Sequence, residues 1–255
     1  MNLTAYPWIS RWSYKAECRL SRFADKIIAN SYAGLDYAVE HSFPKDKCVV
    51  VHNGIDTDKF SPNLVSRKTF RAKWEVHKDQ ILIGLIGRID PMKGHEVFLQ
   101  AAALLKSKNS KLRFVCVGDG DVSFKQKMHA LATVLDLDDV VIWAGRHTDM
   151  LSVYNTLDLL ASSSFGEGFS NVIAEAMACD IPCVVTNVGD SALIIGDTGQ
   201  LVEANNAQLL ADAILAQLSV KVDKGVYRNR IESLYALDRA IDKTEAVISD
   251  CLSME

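Results

Sequence analysis

What this 255-residue chain lacks narrows its reading. No uninterrupted apolar run is long enough to cross a bilayer. The opening MNLTAYPWISRWSYK lacks the apolar centre of a secretion signal. Charge of one sign is missing: 28 Lys and Arg against 32 Asp and Glu give a formal net charge of -4. Without a global basic field, duplex nucleic acid is a poor partner, and none is expected. There is no repeat period and no low-complexity tract. Nor is there a metal-binding cysteine pattern. Cys18, Cys48, Cys116, Cys179, Cys183 and Cys251 are scattered, and the close pair, Cys179 and Cys183, is split by Pro182 with no His beside it. They read as small buried thiols in a reducing cytoplasm, the expected location.

What is present reads as a globular chain of one to two domains, 49% hydrophobic and 24% charged. Strand-like segments fall at 26–30, 48–52, 81–86, 112–117, 140–144, 157–162, 182–186 and 200–202. Several are continuous apolar runs, the mark of strands covered on both faces. Helical patterns lie between them at 95–106, 124–136, 170–179 and 207–217, with closing helices near 226–235 and 238–252. This rhythm predicts an α/β fold: a Rossmann-like parallel sheet with helices on both faces. Such sheets bind ligands beyond the carboxyl ends of their strands, so the loops after residues 86, 117, 144, 162 and 186 are the places to search. The polar stretch NGIDTDKFSPN at 53–63 reads as a linker. It separates an opening piece, 1–52, from a main unit, 53–222, and 223–255 closes the chain.

The loop after 81–86 runs Gly87-Arg88-Ile89-Asp90-Pro91-Met92-Lys93-Gly94. Its glycines let backbone approach a ligand, and Arg88 and Lys93 suit a diphosphate, Arg as a fork and Lys as a point charge. A solvated turn with two surface cations fits the same residues. The loop from Ser162 to Asn171 runs into a helix. Ser170 or Asn171 is the expected N-cap, Gly166 and Gly168 keep the approach clear, and a helix N-terminus attracts phosphate. Glu167, flanked by glycines, has no helical reason to exist and reads as functional. Glu175, inside the helix, either complements the dipole or accepts from a pair of sugar hydroxyls. Gly118-Asp119-Gly120 lacks the third glycine of a dinucleotide fingerprint and reads as a tight turn. Arg146 lies against a base or is a surface charge. No His falls in a nucleophile frame, so no catalytic triad is expected.

Three stretches then stand in order: VVHNGIDTDKFSP, GRIDPMKG and FGEGFSNVIAEAMACDIPCVVTNVGD, the last with seven residues between Glu167 and Glu175. Together they resemble the retaining glycosyltransferases of family 4, also called group 1, which have the two-domain GT-B fold. The resemblance runs from about residue 29 to 202. It implies the carboxy-terminal, donor-binding GT-B half, a remnant of the amino-terminal acceptor domain in 1–52, and closing helices that cross back to that domain. The implied activity is transfer of a sugar from a nucleoside diphosphate sugar to an acceptor with retention, in glycan or polysaccharide synthesis, with no cofactor and no metal. Arg88, Lys93 and Glu167 are the implied catalytic residues, the two cations on the diphosphate and Glu167 on the transferred sugar. Gly87, Arg146, Gly168, Phe169, Ser170, Asn171 and Glu175 are implied to bind the donor. Within that set Glu175 takes the ribose hydroxyls and Arg146 lies near the base. The physics agrees: two cations and a helix N-terminus, fixed in advance, stabilise the charge left on a departing diphosphate.

Most of the family's first domain, with its glycine-rich loop and its His, has no counterpart in this sequence. The chain is therefore expected to need the missing domain or a partner chain and to transfer little alone. A non-catalytic nucleotide- or sugar-binding subunit is the alternative. An epimerase of similar shape and a nicotinamide dehydrogenase fit less well, since the paired glutamates favour a transferase and the glycine fingerprint is incomplete.

One feature is independent of the resemblance. Arg11, Lys15, Arg19, Arg22 and Lys26 fall in one helical stripe, with Ile9, Trp12, Ala16, Leu20 and Phe23 opposite. Two readings fit: a peripheral contact of residues 8–26 with the inner face of a membrane, or the more ordinary helix packed on another domain with its charges in water.

Overall fold

Apolar side chains alternate along the central strands, and the alternation sends them to two separate cores. Leu82, Ile86, Val115, Val117, Leu160 and Val185 join one. Ile83, Leu85, Phe114, Cys116, Ala161 and Val184 join the other. A sheet buried on both faces needs helices on both, and burying each such side chain contributes about 2 kcal/mol.

The computed structural model describes residues 16–253. In chain order come β1 (Ile27–Ala29), α1 (Tyr32–Glu40), β2 (Cys48–Val50), α2 (Leu64–Lys73), β3 (Ile81–Ile86) and α3 (His95–Lys106). β4 (Leu112–Val117), α4 (Val122–Val134), β5 (Val141–Gly145), α5 (Met150–Thr156), β6 (Leu159–Ser162) and α6 (Asn171–Ala178) follow. The chain closes with β7 (Cys183–Thr186), α7 (Ser191–Ile195), β8 (Gln200–Val202), α8 (Ala207–Ser219), α9 (Val226–Tyr235) and α10 (Leu237–Leu252). β1 and β2 pair in parallel as a small sheet of their own. The other six strands form one parallel sheet in the order β5-β4-β3-β6-β7-β8. The expected α/β fold is therefore present. The strand order reverses between β3 and β6, and connections leaving those neighbours in opposite directions open a crevice above their carboxyl ends.

Four helices escape the apolar patterns: α1, α2, α5 and α7. Polar groups fasten α2. Arg71 is buried and donates to Asp158 at 2.9 Å and to the carbonyls of Thr156, His77 and Gln80. Arg67 pairs with the other oxygen of Asp158. Because Asp158 also accepts from the Leu82 N–H at 2.7 Å, the strand expected over 157–162 starts only at Leu159. α4 starts at Val122, earlier than expected, because Asp121 caps it by accepting from the N–H groups of Ser123 and Phe124. The stretch 53–63 is fastened rather than loose. Ile55 and Phe60 are buried, Ile55 bonds Tyr235 and Leu237 through its backbone, and Arg228 donates to the carbonyls of Thr57 and Phe60.

At the start of the described chain, residues 16–20 are helical and a 3₁₀ turn over Ser21–Phe23 ends in extended Ala24. Lys26 is thus off the helix, and the expected basic stripe stops short of it. Arg11, Lys15, Ile9 and Trp12 lie outside the described residues. Leu20 and Phe23 are exposed. Cys116, Cys179 and Cys183 are buried, and burial pushes the Cys179 thiol up to about 12. Cys18, Cys48 and Cys251 are only partly buried, Cys48 because β2 belongs to the small two-stranded sheet. No described helix is long and apolar enough to cross a membrane, and no three described His, Cys, Asp or Glu side chains are grouped to hold a metal ion.

His95 begins α3, fully buried, with neither ring nitrogen in hydrogen-bond geometry. Burial lowers its pKa from 6.5 to about 4; Lys93 adds to the drop and Asp90 opposes it. Between those two values the unfolded chain takes up a proton that the folded ring refuses, so stability held above pH 6.5 is lost as pH falls toward 4. Urea unfolding across this range should show the natural chain losing about 3 kcal/mol more than a His95→Leu variant. Parallel pH profiles for the two proteins would contradict this account of His95.

Candidate functional site

The loops leaving β3 and β6 meet across the crevice, and glycine makes the meeting possible. Gly94 has φ +66°, and a Cβ there would stand 2.0 Å from the carbonyl oxygen of Ser163. The Ser163 hydroxyl donates to the carbonyls of Gly94 at 2.9 Å and Lys93 at 3.2 Å. The Phe165 N–H donates to the Met92 carbonyl at 2.8 Å. Asp90 shapes the first loop by accepting from the Met92 N–H. Gly118-Asp119-Gly120 packs against the first loop, with Gly120 bridging Ile89 in parallel. A Cβ on Gly118 would stand 1.9 Å from the Gly87 oxygen, and Ile89 donates its N–H to Asp119.

Lys93 reaches across to Glu167, Nζ to Oε1 at 2.6 Å. The Ser164 hydroxyl donates to the same oxygen at 2.6 Å. Beyond them Ser170 is the N-cap of α6, buried, and its side chain makes no cap bond. The first-turn N–H groups of α6 thus lack a side-chain partner, and the positive end of the helix faces the crevice. Glu175, further along α6, accepts from the Tyr154 hydroxyl at 2.6 Å. Burial pushes the Glu175 carboxyl above its usual range, opposed by that hydroxyl and by the charge of Lys59.

The loop after β7 holds this arrangement in place. Asp190 is buried and accepts from the N–H groups of Tyr32 and Ala33, at 2.8 and 3.1 Å, and from His52 Nε2 at 2.9 Å. It therefore caps α1, which follows the small sheet's first strand. Its own N–H donates to the Gly168 carbonyl at 3.1 Å, and Gly189, at φ +55°, would place a Cβ 2.3 Å from the Glu167 oxygen. The His52 ring sits among Tyr32, Phe169 and Tyr235 at centroid distances of 5.3–5.4 Å. Asn53 donates to the Asn171 side chain at 2.9 Å.

The structure thus gathers Gly87, Lys93, Glu167, Gly168, Phe169, Ser170, Asn171 and Glu175 onto two facing loops and the helix that follows. Arg88 stands apart: its side chain is 74% exposed and pairs with Asp90 of its own loop. Arg146 is exposed just past β5, near Asp119. Sequence reasoning missed Asp190, His52, Asn53 and Tyr154. Three of them carry a signal: His52 ends the strand-like segment 48–52, Asn53 opens the polar stretch 53–63, and Asp190 lies in the loop after residue 186.

A cation, a helix N-terminus and two carboxylates thus stand at the switch point of a parallel α/β sheet, the place where open sheets of this kind bind ligands. The chain belongs to the glycosyl transferases of group 1, whose family profile matches residues 80–219, more than half of its length. A second profile, described as Glycosyltransferase Family 4, matches residues 3–59. The D-inositol 3-phosphate glycosyltransferase of Mycolicibacterium smegmatis is 31% identical over 196 residues, 75% of this chain and 44% of that protein. Among solved structures, Anabaena HepE in complex with UDP and glucose has a TM-score of 0.84 at 22% identity, covering 92% of this chain and 67% of that one. The C-terminal domain of a glycosyl transferase group 1 family protein from Francisella tularensis gives 0.57 at 28% identity, covering 75% of this chain and 98% of that domain. The chain spans about half the length of the curated relatives it matches.

Replacing Asp190 strands two backbone donors and a histidine. Asp190→Ala should lower the unfolding free energy by about 3 kcal/mol. It should also speed hydrogen exchange at the Tyr32 and Ala33 amides; unchanged exchange there would rule out the capping role.

Proposed function

We propose that this chain forms the donor-binding part of a retaining family 4 glycosyltransferase. It takes a nucleoside diphosphate sugar, and the sugar passes to an acceptor with its configuration kept, in glycan or polysaccharide synthesis. One observation carries the reading: Lys93 and Glu167 meet at 2.6 Å across the switch point, beside the N-terminus of α6. A nucleotide sugar presents the matching chemistry, two phosphates for the cation and the helix end, and hydroxyls for the carboxylates.

In this reading the departing diphosphate gathers negative charge as the sugar–phosphate bond breaks. Lys93 and the first-turn N–H groups of α6 are fixed before that happens, and each such contact contributes about 3 kcal/mol to the transition state. Arg88 leaves Asp90 and adds its fork to the phosphates. Glu167, held by Lys93 and Ser164, turns to the transferred sugar, and Glu175 takes the ribose hydroxyls. Gly87 and Gly168 give the donor close access to backbone, Phe169, Ser170 and Asn171 line its path, and Arg146 lies by the base. The reading assigns no step to a metal or cofactor. The acceptor side belongs to an amino-terminal domain or a partner chain. HepE holds UDP, so UDP is the first ligand to try.

Titration calorimetry with UDP should show binding to the chain, weakened about tenfold by Lys93→Ala and by Glu175→Ala. Binding that neither variant changes would place the nucleotide elsewhere.

A further inference from the structure

Tyr154 is among the largest fully buried side chains, and a buried hydroxyl needs a partner. It finds Glu175 Oε2 at 2.6 Å. Its position is fixed from several sides. Asp149 caps α5 by accepting from the Ser152 N–H, and the Thr156 hydroxyl donates to the Ser152 carbonyl at 2.6 Å. Asn155 donates to the Ser61 carbonyl at 3.0 Å and accepts from the Asn63 N–H, tying the helix to the 53–63 stretch. From that stretch Phe60 meets the Tyr154 ring edge-on at 5.8 Å, and the charge of Lys59 acts on Glu175.

Glu175 is in a place where a carboxylate is costly. Taken from water without a donor, it would take up a proton or swing out of position. A protonated carboxyl makes a poor acceptor for two neighbouring hydroxyls, whereas an ionised one accepts through both oxygens. The tyrosine hydroxyl answers both problems: it donates to the charged form and occupies Oε2, leaving Oε1 aimed by a rigid partner.

We infer that Tyr154 is a positioning residue, holding the Glu175 carboxylate so that the site selects nucleotides carrying ribose hydroxyls. The inference rests on the donor-site reading above and adds to it a second side chain that never touches the ligand. Phenylalanine at this position keeps the ring and removes only the donor.

The test is calorimetric titration of UDP and of 2′,3′-dideoxyuridine diphosphate into the natural chain, Tyr154→Phe, Glu175→Gln and the double variant, with thermal unfolding to show that each is folded. The natural chain should prefer UDP by about tenfold, one to two hydrogen bonds' worth. Tyr154→Phe should weaken UDP about fivefold while leaving the dideoxy analogue unchanged, so the preference shrinks to about twofold. In the Glu175→Gln background the tyrosine change should add nothing. Equal weakening of both nucleotides by Tyr154→Phe, or additive effects in the double variant, would overturn the inference while leaving the donor site standing. A natural chain with no preference, together with an inert Glu175→Gln, would remove the ribose assignment of Glu175 and this inference with it.

Discussion

Backbone packed against backbone at the carboxyl ends of the strands is the constraint on which this molecule depends. Three loops approach so closely that a Cβ on Gly94, Gly118 or Gly189 would stand 2.0, 1.9 or 2.3 Å from a carbonyl oxygen of the neighbouring loop. No side chain can be fitted at such distances, so these positions admit only glycine. The result is a rim assembled before any ligand arrives. Rigid, preformed geometry is what a site needs if its charges are to act at the moment of bond breaking rather than relax afterwards.

Within that rim the charges are arranged for position more than for stability. Lys93 and Glu167 are 25% and 11% exposed, and a partly desolvated pair of this kind gives back in attraction about what it loses in hydration. Its value lies in where it puts the two groups. Asp190 does a similar job at the junction of the two sheets. It offers one buried carboxylate to a helix N-terminus, to His52 and, through its own backbone, to the loop before α6. The small sheet, α1 and the loop before α6 are thereby held by shared atoms. Tyr154 extends the logic to Glu175, linking α5, α6 and the 53–63 stretch.

Much of this was readable from the residues alone, and what was not has physical reasons. β3 and β4 announce themselves because strands buried on both faces are written as unbroken apolar runs. The loops that matter were legible because a parallel sheet leaves only one end for ligands. α2 was not legible, because its fastening is two arginines, residues that ordinarily signal a wet surface, brought to Asp158 and five backbone carbonyls. α7 spans five residues, too few to show a period. The Tyr154–Glu175 and His52–Asp190 pairs join residues 21 and 138 positions apart, and no local pattern encodes such a meeting. Arg88 shows the opposite case: the sequence named it, and the fold leaves it in solvent beside Asp90.

The central claim, that the crevice between β3 and β6 clasps a nucleoside diphosphate, is tested most directly by a crystal structure of this chain soaked with UDP. The account predicts the two phosphates between Lys93 and the N–H groups at the start of α6, with the ribose hydroxyls on Glu175. A nucleotide lodged away from both loops, or one bound there with Glu175 turned from the sugar, would contradict it.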